Sequence, residues 1–335
     1  MTTRIAINGF GRIGRNVLRA LHETGRTDME IVAINDLSST ENLAHLLKYD
    51  SVHGRFPGTV SVSDNRIDIG SGPIEVTAIR DLSEQNWGDN QVDIVMECTG
   101  LFTDREAAAK HLDAGAKRVL ISAPGKNADK TIVYGVNDRT LTAEDTIVSN
   151  GSCTTNALAP VAKVLNDHFG IESGFMTTVH AYTGDQPTLD GVHRKDFNRG
   201  RAAALSMIPT STGAAKAIGL VMPELDGKLD GKAIRVPTPN VSCVDLVVNT
   251  REAVDVDQMN AAFRAAAEKM TGVLQVVDDL TVSTDFNHDP HSTSILTSET
   301  MVPNPNLVRI LSWYDNEWGF SNRMLDTAAV MAKFL

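Results

Sequence analysis

Cys153 stands in VSNGSCTTNALAP, residues 148–160, among small polar residues and just ahead of a run with helical spacing. The chain has three cysteines, and the other two, Cys98 in DIVMECTG and Cys243 in VSCVDLVV, sit in apolar strand-like runs and read as core residues. A thiol at a helix start lies where first-turn N–H groups lack intrahelical partners and the helix dipole is positive. That position, or a neighbouring imidazolium, lowers a thiol from its free value of about 8.5 and makes it a nucleophile. Ser152 and Thr154 add hydroxyls on either side. A thiol nucleophile also needs a base. The sequence does not say which of nine histidines approaches the sulfur; His180 ends the threonine-rich apolar strand of FMTTVHAYTGD, and a histidine between a strand and a polar loop commonly faces a cleft. Taken alone, Cys153 reads equally well as a thiol buried in a small-residue turn, and His180 as a structural histidine.

A second constellation is INGFGRIGR, with Gly9, Gly11 and Gly14 spaced G-x-G-x-x-G between a first strand and a first helix. The first glycine permits a tight turn, the second lets backbone approach a pyrophosphate, and the third lets helix pack on strand. The helix N-terminus then offers N–H groups to the phosphates. Asp36 ends the next strand, EIVAIND, where a carboxylate can bond both ribose hydroxyls of an adenosine and repel a 2′-phosphate. NAD is therefore favoured over NADP.

These residues need elements to hold them. Up to about residue 150, strands such as RIAING, EIVAIND, VDIVMECTG, RVLISAP, TIVYGV and TIVSN alternate with helices such as RIGRNVLRALHETG and DREAAAKHLDAGA. That alternation predicts a parallel sheet with helices on both faces. Residues 58–80 alternate with period two and read as an inserted meander. After Cys153 a long helix ends at Gly170, followed by longer strands grouped together: GFMTTVHAYT, AIRVPTPNVSCVDLVVNT, VLQVVDD and LVRILSWYD. With helices at TGAAKAIGLVMPEL, VDQMNAAFRAAAEKM and NRMLDTAAVMAKFL, this half predicts an α+β domain with a mixed or antiparallel sheet. The expected class is α/β, a Rossmann-type doubly wound sheet plus an α+β domain, joined near residue 150.

Composition narrows the partners. The net charge of −11 argues against nucleic-acid or membrane-surface binding. Any anionic ligand then needs a local cationic cluster, and one stretch, His193–Arg201, is locally basic although it also reads as a solvated loop. No stretch approaches the ~20 apolar residues of a membrane span. The charged N-terminal residues do not read as a secretory signal. No cysteine spacing fits a disulfide framework or a metal site, so a reducing cytoplasm is expected and no metal.

INGFGRIGR, SCTTN, HAYTGDQ, STGAAKA, RVPTPN and SWYDNEWG occur in an order and spacing that resembles the phosphorylating glyceraldehyde-3-phosphate dehydrogenases, from about residue 3 to the C-terminus. The resemblance implies a dinucleotide-binding domain over 1–151, rejoined by a C-terminal helix at about 317–335, and a catalytic domain over 152–316. It implies that Cys153 attacks the aldehyde, that His180 takes the hydroxyl proton, that NAD accepts hydride, and that inorganic phosphate resolves the thioester. The Cys153 N–H would stabilise the oxyanion. Substrate phosphate is expected on Thr183 and Arg235 with Arg199 nearby, and attacking phosphate on Ser152, Thr154, Thr212 and Gly213. NAD is expected to meet Gly9, Gly11, Arg12, Ile13, Gly14, Asp36, Arg80, Thr99, Ser122 and Asn316, the last orienting the nicotinamide amide. The loop between HAYTGDQ and RAAAL would border a neighbouring subunit's cofactor in a homotetramer.

The chain departs from many relatives in three places. Ala157 stands where a second cysteine is common, Phe320 where tyrosine is common, and the loop TLDGVHRKDFNRGR lacks a Leu-Pro pair, which leaves the NAD preference resting on Asp36 and Leu37. Erythrose-4-phosphate dehydrogenase is the nearest alternative, since NHDPHS and DNEWGFSNRMLDT resemble that branch too. A thiol hydrolase and a non-catalytic nucleotide-binding regulator are the alternatives from other classes.

Overall fold

The computed structural model describes residues 2–194 and 196–335. Lys195, within the basic stretch, lies outside the described residues. The chain forms two compact units: Met1–Ile132, Asp138–Gly151 and Ser321–Leu335 in the first, Val133–Asn137 and Ser152–Phe320 in the second.

In the first unit a nine-stranded sheet is formed among the described residues. Seven strands run parallel in the order Lys130–Thr131, Ile147–Ser149, Arg118–Ile121, Ile94–Glu97, Thr3–Asn8, Met29–Asn35, Pro73–Thr77. The central strands Thr3–Asn8, Ile94–Glu97, Arg118–Ile121 and Ile147–Ser149 are near-continuously buried, as covering on both faces requires. Arg66–Asp68 and Ser61–Ser63 extend the edge antiparallel. The meander is thus not a separate insertion: its last strand is a parallel member of the main sheet. Thr3–Asn8 lies between Met29–Asn35 and Ile94–Glu97, so the strand order reverses beside it, and the crevice at its carboxyl end is where such sheets take ligands. TIVYGV is a strand only at its first residue, Thr131, because Val133–Asn137 turns on hydrogen bonds back to the Val133 carbonyl.

The second unit's sheet is mixed, in the order Ile208–Ser211, Leu229–Val236, Ile171–Ala181, Ser242–Thr250, Leu307–Tyr314, Thr293–Leu296, Leu274–Val277, with Met301–Asn304 also on Leu307–Tyr314. AIRVPTPNVSCVDLVVNT, read as one strand, is two. Pro237 and Pro239 supply no N–H to a ladder and break the run. Leu229–Val236 then pairs parallel to Ile171–Ala181, and Ser242–Thr250 pairs antiparallel on its other side. Pro223 likewise stops the helix of TGAAKAIGLVMPEL, which spans Ala214–Val221. The C-terminal helix starts earlier than NRMLDTAAVMAKFL, at Trp318, because Asp315 Oδ1 accepts the Glu317 and Trp318 N–H groups.

The helix Cys153–Phe169 is the organising element of the second unit. Ser152 caps it by accepting the Thr155 N–H at 3.0 Å, a contact worth about 1 kcal/mol. Gly170, at φ +66°, ends it. Pro160 lies inside and costs about 3 kcal/mol in an isolated helix. The helix holds because its apolar residues, Leu158, Val161, Ala162 and Leu165 among them, are buried in one core with Met176, Val244, Leu246, Val308 and Ile310 of the sheet. Among the described residues no helix is long and apolar enough to cross a membrane.

Candidate active site

The helix start and the strand Ile171–Ala181 bring Cys153 Sγ to 3.4 Å from His180 Nε2. His180 Nδ1 donates to the Ala181 carbonyl at 2.7 Å, which puts the ring proton on Nδ1 and leaves Nε2 as the acceptor for the thiol. Burial, aided by Arg235, pushes His180 down to about 3. Burial pushes the Cys153 thiol up; Arg235, the Thr154 hydroxyl and the Thr154 and Cys153 N–H groups pull it back without cancelling the rise. The expected lowering of the thiol by the helix start or by an imidazolium is therefore corrected. The helix-start N–H groups do favour the sulfur anion, but desolvation outweighs them.

Sheet register sets the rest. His180 and Arg235 are partners in the parallel ladder, so the guanidinium rises beside the imidazole. Arg235 donates to the Thr183 hydroxyl at 2.7 Å and the Ala181 carbonyl at 3.1 Å, while its Nε–H is buried without a partner. A buried, unfilled donor on a cation is what an anion site requires. Arg199 is less free than expected: it binds Asp185 at 3.2 Å, the Thr210 hydroxyl at 2.8 Å and the Ser211 carbonyl at 3.2 Å. Thr183 donates to the same Asp185 at 2.5 Å. Burial works to raise the Asp185 carboxyl, but Thr183, Arg235 and Arg199 together hold it below the usual range.

Among the residues assigned to attacking phosphate, Thr154 and Ser152 already carry structural bonds. The Thr154 hydroxyl lies 2.9 Å from the Tyr314 hydroxyl, which is also 2.9 Å from Thr178. Ser152 Oγ is the helix cap. Thr212 accepts the Ala214 N–H, and Gly213 caps Ala214–Val221 with no side-chain cap and no acidic residue in its first turn. Asn316 is buried and accepts from Ser242 at 2.8 Å. Tyr314, Asp185 and Ser242 were not singled out from sequence. Tyr314 was visible inside SWYDNEWG, but only the fold aims its hydroxyl at Thr154.

In the first unit, Gly9 adopts φ +92°, and a Cβ there would lie 2.7 Å from Thr99; a Cβ on Gly14 would lie 2.2 Å from the Gly9 carbonyl oxygen. A Cβ on Gly11 would meet nothing. The helix Arg12–Glu23 has no side-chain cap and no acidic first-turn residue, so its positive end is not neutralised by a carboxylate of its own first turn. Arg12's guanidinium is turned to Asp50 at 2.5 Å. Asp36 is held by the Phe10 and Ser38 N–H groups at 2.8 and 2.9 Å. A cavity of about 370 Å³ is lined by Gly9, Gly11, Asp36, Arg80 and Thr99 with Asn8 and Asn35. Its size suits a nucleoside-sized group. Ser122, whose N–H bonds the Glu97 carbonyl and whose hydroxyl meets the Cys98 thiol, does not line it.

A switch-point cleft with glycine-rich floor and acidic rim defines the class: a dinucleotide-dependent oxidoreductase. Residues 3–105 match the glyceraldehyde 3-phosphate dehydrogenase NAD binding domain, and residues 152–316 match the glyceraldehyde 3-phosphate dehydrogenase C-terminal domain. The chain is 64% identical to a glyceraldehyde-3-phosphate dehydrogenase of Cereibacter sphaeroides over 100% of both chains. It is 63% identical to that of Xanthobacter flavus over 99% of both. It is 54% identical to glyceraldehyde-3-phosphate dehydrogenase 1 of Bacillus subtilis, again over 99% of both. The chain belongs to the glyceraldehyde-3-phosphate dehydrogenase family, NAD-dependent oxidoreductases acting on an aldehyde group.

Proposed function

We propose that the chain oxidises and phosphorylates D-glyceraldehyde 3-phosphate to 1,3-bisphosphoglycerate through Cys153. The observation that carries this reading is the thiol–imidazole pair at 3.4 Å with the unfilled Arg235 Nε–H beside it. Cys153 attacks the aldehyde carbon while its proton passes to His180 Nε2. The Cys153 N–H at the helix start stabilises the oxyanion. His180 returns the proton to form the thiohemiacetal hydroxyl, then takes it again as the carbon is oxidised. Bound NAD supplies the hydride acceptor that makes this carbon a thioester. An oxygen of inorganic phosphate then displaces the sulfur, which regains its proton from His180.

Thr183, Arg235 and Arg199 are proposed to hold the substrate phosphate, with Asp185 giving up part of its hold on Thr183 and Arg199. Ser152, Thr154, Thr212 and Gly213 are proposed to hold the attacking phosphate. NAD is assigned to Gly9, Gly11, Arg12, Ile13, Gly14, Asp36, Arg80, Thr99 and Ser122, with Asp36 at the adenosine ribose, and its nicotinamide amide to Asn316. Space above Gly11 and the absence of an acidic residue in the first turn of the helix Arg12–Glu23 support that fit.

The test is NADH formation from glyceraldehyde 3-phosphate, NAD and phosphate, compared with erythrose 4-phosphate and with phosphate omitted. Multiple-turnover NADH formation that did not require phosphate, or preference for erythrose 4-phosphate, would overturn the substrate assignment. Arg235→Gln is expected to raise KM for glyceraldehyde 3-phosphate by about 100-fold, the loss of a charge-assisted hydrogen-bond pair worth about 3 kcal/mol. An unchanged KM would place the phosphate elsewhere.

The loop over residues 187–207 supports the homotetramer. It exposes Leu189, Val192, Phe197, Leu205 and Met207 at 74–100%. So many large apolar side chains on one loop mark an interaction surface, and a second copy of the chain is the proposed occupant. Light scattering should give four times the chain mass; a monomer would reject it. The cysteines are all unpaired, which supports a reducing, cytoplasmic setting.

A further inference from the structure

We propose that Glu97, which the mechanism does not use, is a positioning residue that sets NAD affinity from beneath the cleft; this rests on the assignment of NAD to that cleft. Glu97 ends the strand Ile94–Glu97 and is 1% exposed. One carboxylate oxygen accepts the Thr99 N–H at 2.8 Å and the Thr99 hydroxyl. The other accepts Asn8 Nδ2 at 2.6 Å and His111 Nε2 at 3.0 Å. Four donors converge on one buried acceptor.

The direction of every bond is dictated from two fixed ends. At one end the Ile79 N–H must donate, and it donates to Asn35 Oδ1 at 2.8 Å, together with the Thr77 hydroxyl. Asn35 Nδ2 therefore faces outward and donates to the Ile79 carbonyl and to Asn8 Oδ1. That orients Asn8 with Nδ2 towards Glu97. At the other end the Trp87 indole, a donor only, bonds His111 Nδ1 at 3.0 Å. His111 must then carry its proton on Nε2 and donate it to Glu97. Both chains of dependence arrive at Glu97 as donors, so only an all-acceptor group closes the network.

Asn8, Asn35, Ile79 and Thr99 all line the cleft. Glu97 and His111 do not line it, so the carboxylate acts through its neighbours. It holds the turn carrying Thr99 against the glycine loop, and it holds the Asn8–Asn35 pair that floors the space next to Asp36. Glu97→Gln has nearly the same shape but offers one acceptor and two new donors. Whichever way the amide turns, it faces donors it cannot accept from, and buried donors left unpaired shift the groups that carry them.

The experiment is calorimetric titration of full-length protein with NAD, alongside steady-state kinetics. Glu97→Gln is expected to raise the NAD Kd and KM at least tenfold with kcat within twofold, and to leave iodoacetamide labelling of Cys153 within twofold. Adding Trp87→Phe frees His111 Nδ1 to take the ring proton, so Nε2 can accept from the new amide. The double variant should recover at least half of the lost binding free energy, whereas simple loss of packing would add to the defect. Glu97→Asp serves if the glutamine variant does not fold: it keeps a carboxylate but shortens it by one methylene, and should raise Kd severalfold. Asp36→Ala separates the two readings. If it leaves NAD affinity unchanged, the cleft assignment fails. If it weakens NAD while Glu97→Gln and Glu97→Asp bind like wild type, or if Trp87→Phe brings no recovery, the role proposed for Glu97 is overturned.

Discussion

Cys153→Ala should lower NADH formation by a factor on the order of 10⁴ or more, since removing a covalent nucleophile leaves only binding and oxyanion stabilisation. The Kd for NAD should change less than threefold, because the Cys153 sulfur bonds none of the residues that line the cleft. The variant should fold: Cys153 packs against the core only in part, alanine keeps its Cβ there, and the Ser152 cap does not involve its sulfur. Wild-type protein should lose activity on modification of one thiol. Burial first, then the Glu97 charge, pushes Cys98 up to about 12, and burial pushes Cys243 up to about 11, so neither presents thiolate near neutral pH. The Cys153 thiol is also raised, but it has first-turn N–H groups and an imidazole to take its proton. Full turnover in the alanine variant, or equal labelling of all three thiols, would end the covalent reading.

His180→Asn should lower kcat by roughly 10² to 10⁴, the range for removal of a general base. The pH profile separates this from a packing defect. In the folded protein His180 is depressed to about 3, so it stays a neutral acceptor as pH falls and is lost only near that value. The acid limb of wild-type kcat/KM should therefore lie well below the ~6.5 of a free imidazole. The Cys153 thiol is raised, so without the imidazole its anion accumulates only as pH climbs above the usual thiol range. The variant's rate should climb steeply with pH up to and beyond 9 while the wild type is flatter. Parallel profiles in the two proteins would mean that His180 does not handle the proton.

Much of this site is legible in the chain. G-x-G-x-x-G between strand and helix, Asp36 at the next strand's end, and Cys153 at a helix start are local features, each a matter of a few adjacent residues and the turn they enforce. Pro237 and Pro239 were legible as well, yet the run around them reads as one strand if its apolar residues are counted alone. The missed residues are non-local. Asp185 becomes part of the site only because the loop after His180 folds back to Arg199, and Tyr314 only because Leu307–Tyr314 pairs with Ser242–Thr250.

By itself the sequence determined the fold class, the nucleotide loop, the helix that presents the thiol, and the family. These depend on periodicity, turn chemistry and short motifs, which act over a few residues. Only the tertiary structure decided that His180 is the histidine facing the sulfur, that Arg235 rises beside it by ladder register, and that Glu97 collects four buried donors. It also decided the sign of the thiol's shift. Helix-start N–H groups and burial pull in opposite directions, and how much water is excluded from Cys153 depends on elements far away in the chain.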